Sequence, residues 1–218
     1  MEIVKMTEVS YQLAEKAEAL FERITIQLES GSVYLILSDS GIEKSGFAAV
    51  LAGLEKPTSG ELRYHSLLLN DGELAVDQIG TVFQQDNFIP EFSPLENIYY
   101  YQQIIKQPKR KKECLSYLAA FGIDKKSAGI PLVKSSLFIQ KKYCLAKAMA
   151  CRPKLLVLDH LFSGVGFPRQ ECLMDYLRTQ ADEEDVCIVI LTEEQFLGKY
   201  ADEVWGLNRG RLSFIKSR

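Results

Sequence analysis

Hydrophobic positions along the chain switch between two periods, and each switch marks an element. Glu2–Tyr11 is strand-like, with Ile3, Val4, Val9 and Tyr11 apolar, and Ile24–Leu28 alternates as ITIQL. Ser32–Leu37 reads SVYLIL, and Leu155–Leu158 and Val186–Leu191 are similarly unbroken. Short apolar runs of this kind suit strands covered on both faces of a parallel sheet. Glu61–Tyr64 and Ile79–Phe83 add short strands, and Val204–Leu207 with Leu212–Phe214 predict a hairpin around Asn208-Arg209-Gly210. Lys44–Leu54, Leu95–Ile105, Lys111–Phe121, Leu137–Cys151 and Gln170–Gln180 are expected helices; in the fourth, Leu137, Cys144, Leu145, Ala148 and Met149 follow helical spacing. Turns fall at Ser38–Gly41 and Pro57–Gly60, and Gly129–Ser136 is a loop. Strands alternating with helices predict a right-handed α/β core with a mainly parallel sheet.

Composition narrows the picture. The 218 residues are 47% hydrophobic and 25% charged, with a net charge of −3. These are globular values, and the charge balance gives no general attraction to nucleic acid, so no nucleic-acid partner is expected. One segment departs from that balance: Lys106–Lys112, KQPKRKK, holds five basic residues in seven. Such a run is a solvated face, or a contact for a phospholipid headgroup or a partner. No stretch approaches the ~18 apolar residues of a membrane span, and MEIVKMTEVSY lacks the basic start and apolar run of a signal peptide. A cytoplasmic location is therefore expected. The five cysteines are odd in number and lack CxxC spacing, which points to reduced thiols and not to a metal or disulfide framework.

The chemistry-bearing segments come in a fixed order. SVYLILSDSGIEKSGFAAVLAGL is a strand, a turn and a helix; EKPTSGELRY follows it; then come VFQQDNFIPEFSPLENI, CLAKAMACRPKLLVLD and ADEVWGLNRGRL. Taken together these resemble the nucleotide-binding subunit of an ABC transporter over essentially the whole chain. The resemblance implies a P-loop NTPase core of ABC type, with a mainly parallel sheet, an antiparallel β subdomain and a helical subdomain at approximately 87–150, all within one domain of residues 1–218. It implies ATP and Mg²⁺ as cofactors. Nucleotide contacts would fall on Ser40, Gly41, Lys44, Ser45, Gln84 and Asp159, with Ser45, Gln84 and Asp159 around the metal. Partners would be a membrane permease and a second ATPase subunit, as homodimer or heterodimer, at the inner face of the cell membrane. The permease would dock beside Gln84, Phe88, Phe92 and Tyr99–Tyr101.

Against that pattern the sequence departs where the phosphate chemistry is done. A GxxxxGK[ST] loop uses glycines so that backbone amides approach phosphates. Here Ser38 and Glu43 stand at the outer glycine positions, while Lys44 and Ser45 remain. A carboxylate ~4 Å from a phosphate charge repels it by ~4 kcal/mol at an effective dielectric of ~20, roughly a thousandfold in affinity. Lys44 is placed to pair with Glu43 instead. His160 occupies the position of the catalytic Glu, and losing a general base costs ~10²–10⁴-fold. Glu193 stands where the switch His belongs, and Gly166 lies near the D-loop Asp position. Of the LSGGQ signature, aligned with Ser135–Ile139, only Ser136 survives. The adenine-stacking aromatic is replaced in register by Leu13, next to Tyr11. The expectation is a degenerate ATP-binding subunit with weak or absent hydrolysis, retained for dimerisation and docking. The alternatives are a divergent but active ATPase using His160, and a stand-alone scaffold.

Overall fold

The computed structural model describes residues 1–13, 18–83 and 88–217, apart from the Val76 side chain. In chain order, β1 (Glu2–Tyr11), β2 (Phe21–Glu29) and β3 (Val33–Leu37) precede α1 (Gly41–Leu51) and β4 (Ser59–Tyr64). Two short strands, β5 (Leu69–Asn70) and β6 (Glu73–Leu74), lead to β7 (Ile79–Val82). Three helices follow: α2 (Pro94–Ile104), α3 (Lys111–Ala120) and α4 (Leu137–Ala148). The chain then alternates through β8 (Leu155–Asp159), α5 (Phe167–Glu184) and β9 (Cys187–Thr192), and ends in the hairpin β10 (Glu203–Asn208) and β11 (Arg211–Ser217).

The apolar runs assemble as their pattern predicts. A six-stranded sheet has the order β11-β10-β3-β9-β8-β7, parallel except for β11. Every residue of β8 and β9 is buried. Because successive side chains point to opposite faces, each run serves two cores. Leu35, Leu156, Leu158, Ile188 and Ile190 face the side covered by α5 and the three-helix group. Tyr34, Ile36, Leu155, Val157 and Val189 face α1 and the antiparallel sheet β2-β1-β4. This double coverage explains why the strands read as continuous apolar runs.

Serines set the helix starts. Ser40 accepts from the Glu43 amide, so α1 begins at Gly41, three residues before the pattern suggested. Ser93 and Glu96 form a reciprocal capping box ahead of Pro94, and Ser136 accepts from the Ile139 amide. α5 extends beyond the expected Gln170–Gln180 at both ends. Pro168 suits its first turn, and Asp185 stops it in a left-handed conformation. No helix among the described residues is long and apolar enough to cross a membrane.

Candidate functional site

The turn between β3 and α1 carries the phosphate-loop residues to the C-terminal ends of β3, β8 and β9. Ligands of open α/β sheets commonly bind at this edge. Lys44 is buried against it, and Ser45 donates to Asp159 Oδ2 at 2.6 Å across 114 residues of sequence. Asp159 is fully buried, and its other oxygen, Oδ1, has no hydrogen-bond partner. Burial pushes the Asp159 carboxyl above its ordinary range; the Ser45 hydrogen bond and the charges of His160, Lys44 and Lys141 hold it back.

Glu43 does not pair with Lys44. Its carboxylate accepts from the Gly210 amide at 2.9 Å and from Ser38 Oγ at 3.3 Å. Ser38 Oγ in turn accepts from the Ser40 amide. Glu43 thus ties the turn between β3 and α1 to the turn between β10 and β11. The expected Lys44–Glu43 pair gives way because a backbone amide and a hydroxyl sit closer to this carboxylate.

His160 adopts a left-handed backbone, φ 67°, directly after β8. It lines a small cleft with Lys44, Ser163, Thr192, Glu193 and Glu194. The cleft holds about 20 Å³, roughly the space of one water. Glu193 is exposed at its rim, and Glu194 accepts from Gln170 Nε2 at 3.3 Å. Gly41 is the first residue of α1, and Ser40 caps it. Gln84 lies outside the described residues. Ser136 caps α4, its hydroxyl accepting from the Ile139 amide. Leu137 beside it is 40% exposed and packs close to Gly164. Tyr11 is buried against Phe21, ring centroids 5.8 Å apart, and Leu13 is half-buried, so neither ring nor side chain offers an open aromatic platform.

Two implied groups fare differently. Ser45 Oγ and the orphaned Asp159 Oδ1 are hard oxygen donors of the kind Mg²⁺ takes, and they fit a metal. A triphosphate fits less well, because the turn that would cradle it presents the Glu43 carboxylate, which accepts from Gly210 and Ser38. Among the described residues no group of three or more His, Cys, Asp or Glu side chains could hold a metal by itself.

Three contributors escaped the pattern reading. Gly210 reaches the phosphate loop only through the hairpin. Lys141, on α4, is buried and acts on Asp159; a lysine four residues after Leu137, on the apolar stripe, was its visible signal. Gln170 is buried and donates to the carbonyls of Phe162 and Val165, fixing the loop after His160.

Of the residues expected to flank a docking groove, Phe88, Tyr100 and Tyr101 share one cavity, and Phe92 and Tyr99 do not line it. Phe88, Ile89, Asn97, Tyr100, Tyr101, Ile104, Tyr143 and Lys147 line a cavity of about 390 Å³. Tyr100 is 52% exposed and Phe92 is also exposed, while Phe88 and Tyr101 are half-buried. Tyr99 is exposed too, but it turns to the other side of α2 and lines a separate cavity with Leu95 and Lys109.

A raised acid favours folding when protonated. Stability owed to Asp159 is fully present below its unfolded pKa and is lost as pH rises through the folded one. We predict that Asp159→Asn gains stability over wild type as pH rises, measured by urea unfolding without metal. Mg²⁺ at ~100 times its Kd should stabilise wild type by ~2.7 kcal/mol and leave the variant unchanged.

Comparisons with known proteins agree with this geometry. The family model described as ABC transporter matches residues 21–163. The chain is 27% identical to the uncharacterized ABC transporter ATP-binding protein YclH of Bacillus subtilis, over 98% of this chain and 96% of that one. It is 27% identical to the glutamine transport ATP-binding protein GlnQ of Geobacillus stearothermophilus, over 87% of this chain and 81% of that one. Among solved structures it is similar to the dimeric cassette MJ0796 of Methanocaldococcus jannaschii. The TM-score there is 0.82 at 23% identity, covering 99% of this chain and 100% of that one. The fold is that of an ABC cassette: a mixed sheet, an antiparallel subdomain and a helical group.

Proposed function

The chain belongs to the ABC transporter family as an ATP-binding-type subunit, and from that premise we propose that it is a degenerate one: it turns over ATP near background and serves to dimerise and to dock a membrane permease. The observation carrying this reading is Glu43. A carboxylate stands at the phosphate-loop glycine and is satisfied from within the protein by Gly210 and Ser38. It keeps negative charge at the loop and joins it to the C-terminal hairpin.

The rest of the machinery points the same way. His160 replaces the polarising carboxylate, Glu193 replaces the switch imidazole, and the helix presented by Ser136 carries Leu137 and Phe138 where glycine amides are needed. In ABC dimers each nucleotide lies between the loop of one subunit and the signature of the other. A chain damaged in both compromises both composite sites. What survives is the apolar framework and the groove of Phe88, Tyr100 and Tyr101. We read residues 1–218 as one unit, with its helical part at approximately 87–150, at the cytoplasmic face of the membrane. The partner subunit is a second copy or another ABC ATPase.

A second reading, a divergent active ATPase, draws on one observation: Ser45, Asp159 and Lys44 remain together, with Asp159 Oδ1 open to a ligand. Ser45 and Asp159 would hold Mg²⁺, with Gln84 as the third implied ligand; the metal would supply charge neutralisation at phosphate.

Steady-state hydrolysis separates the two. The purified chain is expected at background with Mg²⁺ and millimolar ATP. Turnover of ~1 s⁻¹ or faster, the low end of ordinary enzymes, that is lost on Lys44→Ala would establish the second reading instead.

A further inference from the structure

We propose that the face made by α2 and the connector before α3 binds the surface of an anionic lipid bilayer. Lys106, Lys109, Arg110, Lys111 and Lys112 form this connector and the first turn of α3. Among the described residues none of the five is within ion-pair distance of a carboxylate. Lys109 lies 5.3 Å over the Tyr117 ring, and Lys111 is near enough to Glu96 to help lower its carboxyl, though not in ion-pair contact. The two acids on this face are committed to their own helix ends: Glu96 to the amide and hydroxyl of Ser93, Glu113 to the Arg110 amide. The basic charges are therefore left to face solvent or a partner.

Beside them lies an apolar recess. Leu95, Glu96 and Tyr99 of α2 and Pro108–Lys111 enclose a cavity of about 680 Å³. Tyr99 is 48% exposed. Cationic side chains flanking half-exposed tyrosine and aliphatic groups match a bilayer interface, where aromatic rings sit at headgroup level and lysines meet acidic phosphates. A purely polar polyanion has no use for the apolar part. The whole chain carries a net charge of −3 with these five cations included, so the rest of the molecule is acidic and the attraction is confined to this face.

Position selects the bilayer over an acidic protein. α2 separates this recess from the groove of Phe88, Tyr100 and Tyr101, and Ile104 lines that groove. A permease seated in the groove brings the basic connector alongside the membrane. This choice of occupant rests on the docking reading above, whereas its test does not.

The test is sedimentation of the full chain with vesicles of phosphatidylcholine alone or with one third phosphatidylglycerol. Each basic side chain near an anionic surface contributes roughly fivefold. Binding is expected to anionic vesicles only. It should fall at least tenfold in the combined Lys109→Ala, Arg110→Ala, Lys111→Ala, Lys112→Ala variant, and likewise in ~0.5 M salt, where charges are screened within several ångströms. Tyr99→Ser should lower it severalfold at unchanged charge. Of these five positions four are exposed and Lys109 is half-buried, and thermal unfolding checks that the variants fold. Absence of binding to anionic vesicles overturns the proposal, as does binding that the four alanines leave intact. Displacement from the vesicles by a single-stranded RNA that binds more tightly overturns it in favour of nucleic acid. The vesicles hold no permease, so failure here leaves permease docking standing. Phe88→Ser, inside the groove, should impair docking while leaving vesicle binding unchanged.

Discussion

Replacing Glu43 and Ser38 together by glycine should raise the affinity for Mg-ATP while making the protein less stable. The two effects have separate causes. Glu43→Gly removes a negative charge from the loop, and both changes remove a Cβ where phosphate must approach the backbone. At ~4 Å the charge term would be worth roughly a thousandfold. The carboxylate is drawn towards Gly210 and Ser38, so the gain should fall below that limit, between about tenfold and several hundredfold. The stability cost comes from the Gly210 amide, which loses its acceptor, at ~1–3 kcal/mol. Two added glycines contribute about 0.5–1 kcal/mol each where they stiffened the loop or helix. Nucleotide titration with and without Mg²⁺ reads the first effect and urea unfolding the second. Unchanged affinity would show that no latent phosphate site remains. His160→Glu alone should change little, because it restores a base without restoring the cradle.

Phe47→Ala should cost ~3–5 kcal/mol, the usual range for a fully buried phenylalanine. Phe47 has no exposed surface, and its ring meets Phe21 edge-on with centroids 5.8 Å apart. It stands on α1 between the parallel sheet and the antiparallel one, so truncation opens a void where the two layers share a core. Lys44 and Ser45 lie one turn or less ahead of it on the same helix. The Ser45–Asp159 hydrogen bond should loosen along with the global loss. The urea midpoint should drop while its slope stays constant. A loss below ~1 kcal/mol would mean that α1 is not the wedge between the layers.

The residue pattern alone located the core strands and most of the helices, though not the order of the strands in the sheet. Val33–Leu37, Leu155–Leu158 and Cys187–Leu191 could be read as parallel strands because burial on both faces leaves no polar alternation. The pattern predicts a helix over Leu95–Ile105; α2 starts one residue earlier, at Pro94, because Ser93 and Glu96 close a capping box there. The family was legible too, from the order of short motifs, and the resemblance named the residues of the candidate site. Only the tertiary structure decided what those residues touch. Glu43 might have met Lys44, its neighbour in sequence; it meets Gly210 instead, 167 residues away, because β10 lies beside β3 and brings its hairpin turn over the loop. Ser45 meets Asp159 because α1 packs over the end of β8, and Lys141 comes near them because α4 covers the opposite face of that sheet. Periodicity records which face of an element is dry. It carries no information about which distant turn will supply the last donor to a buried carboxylate, since that depends on strand order and register summed over the whole chain.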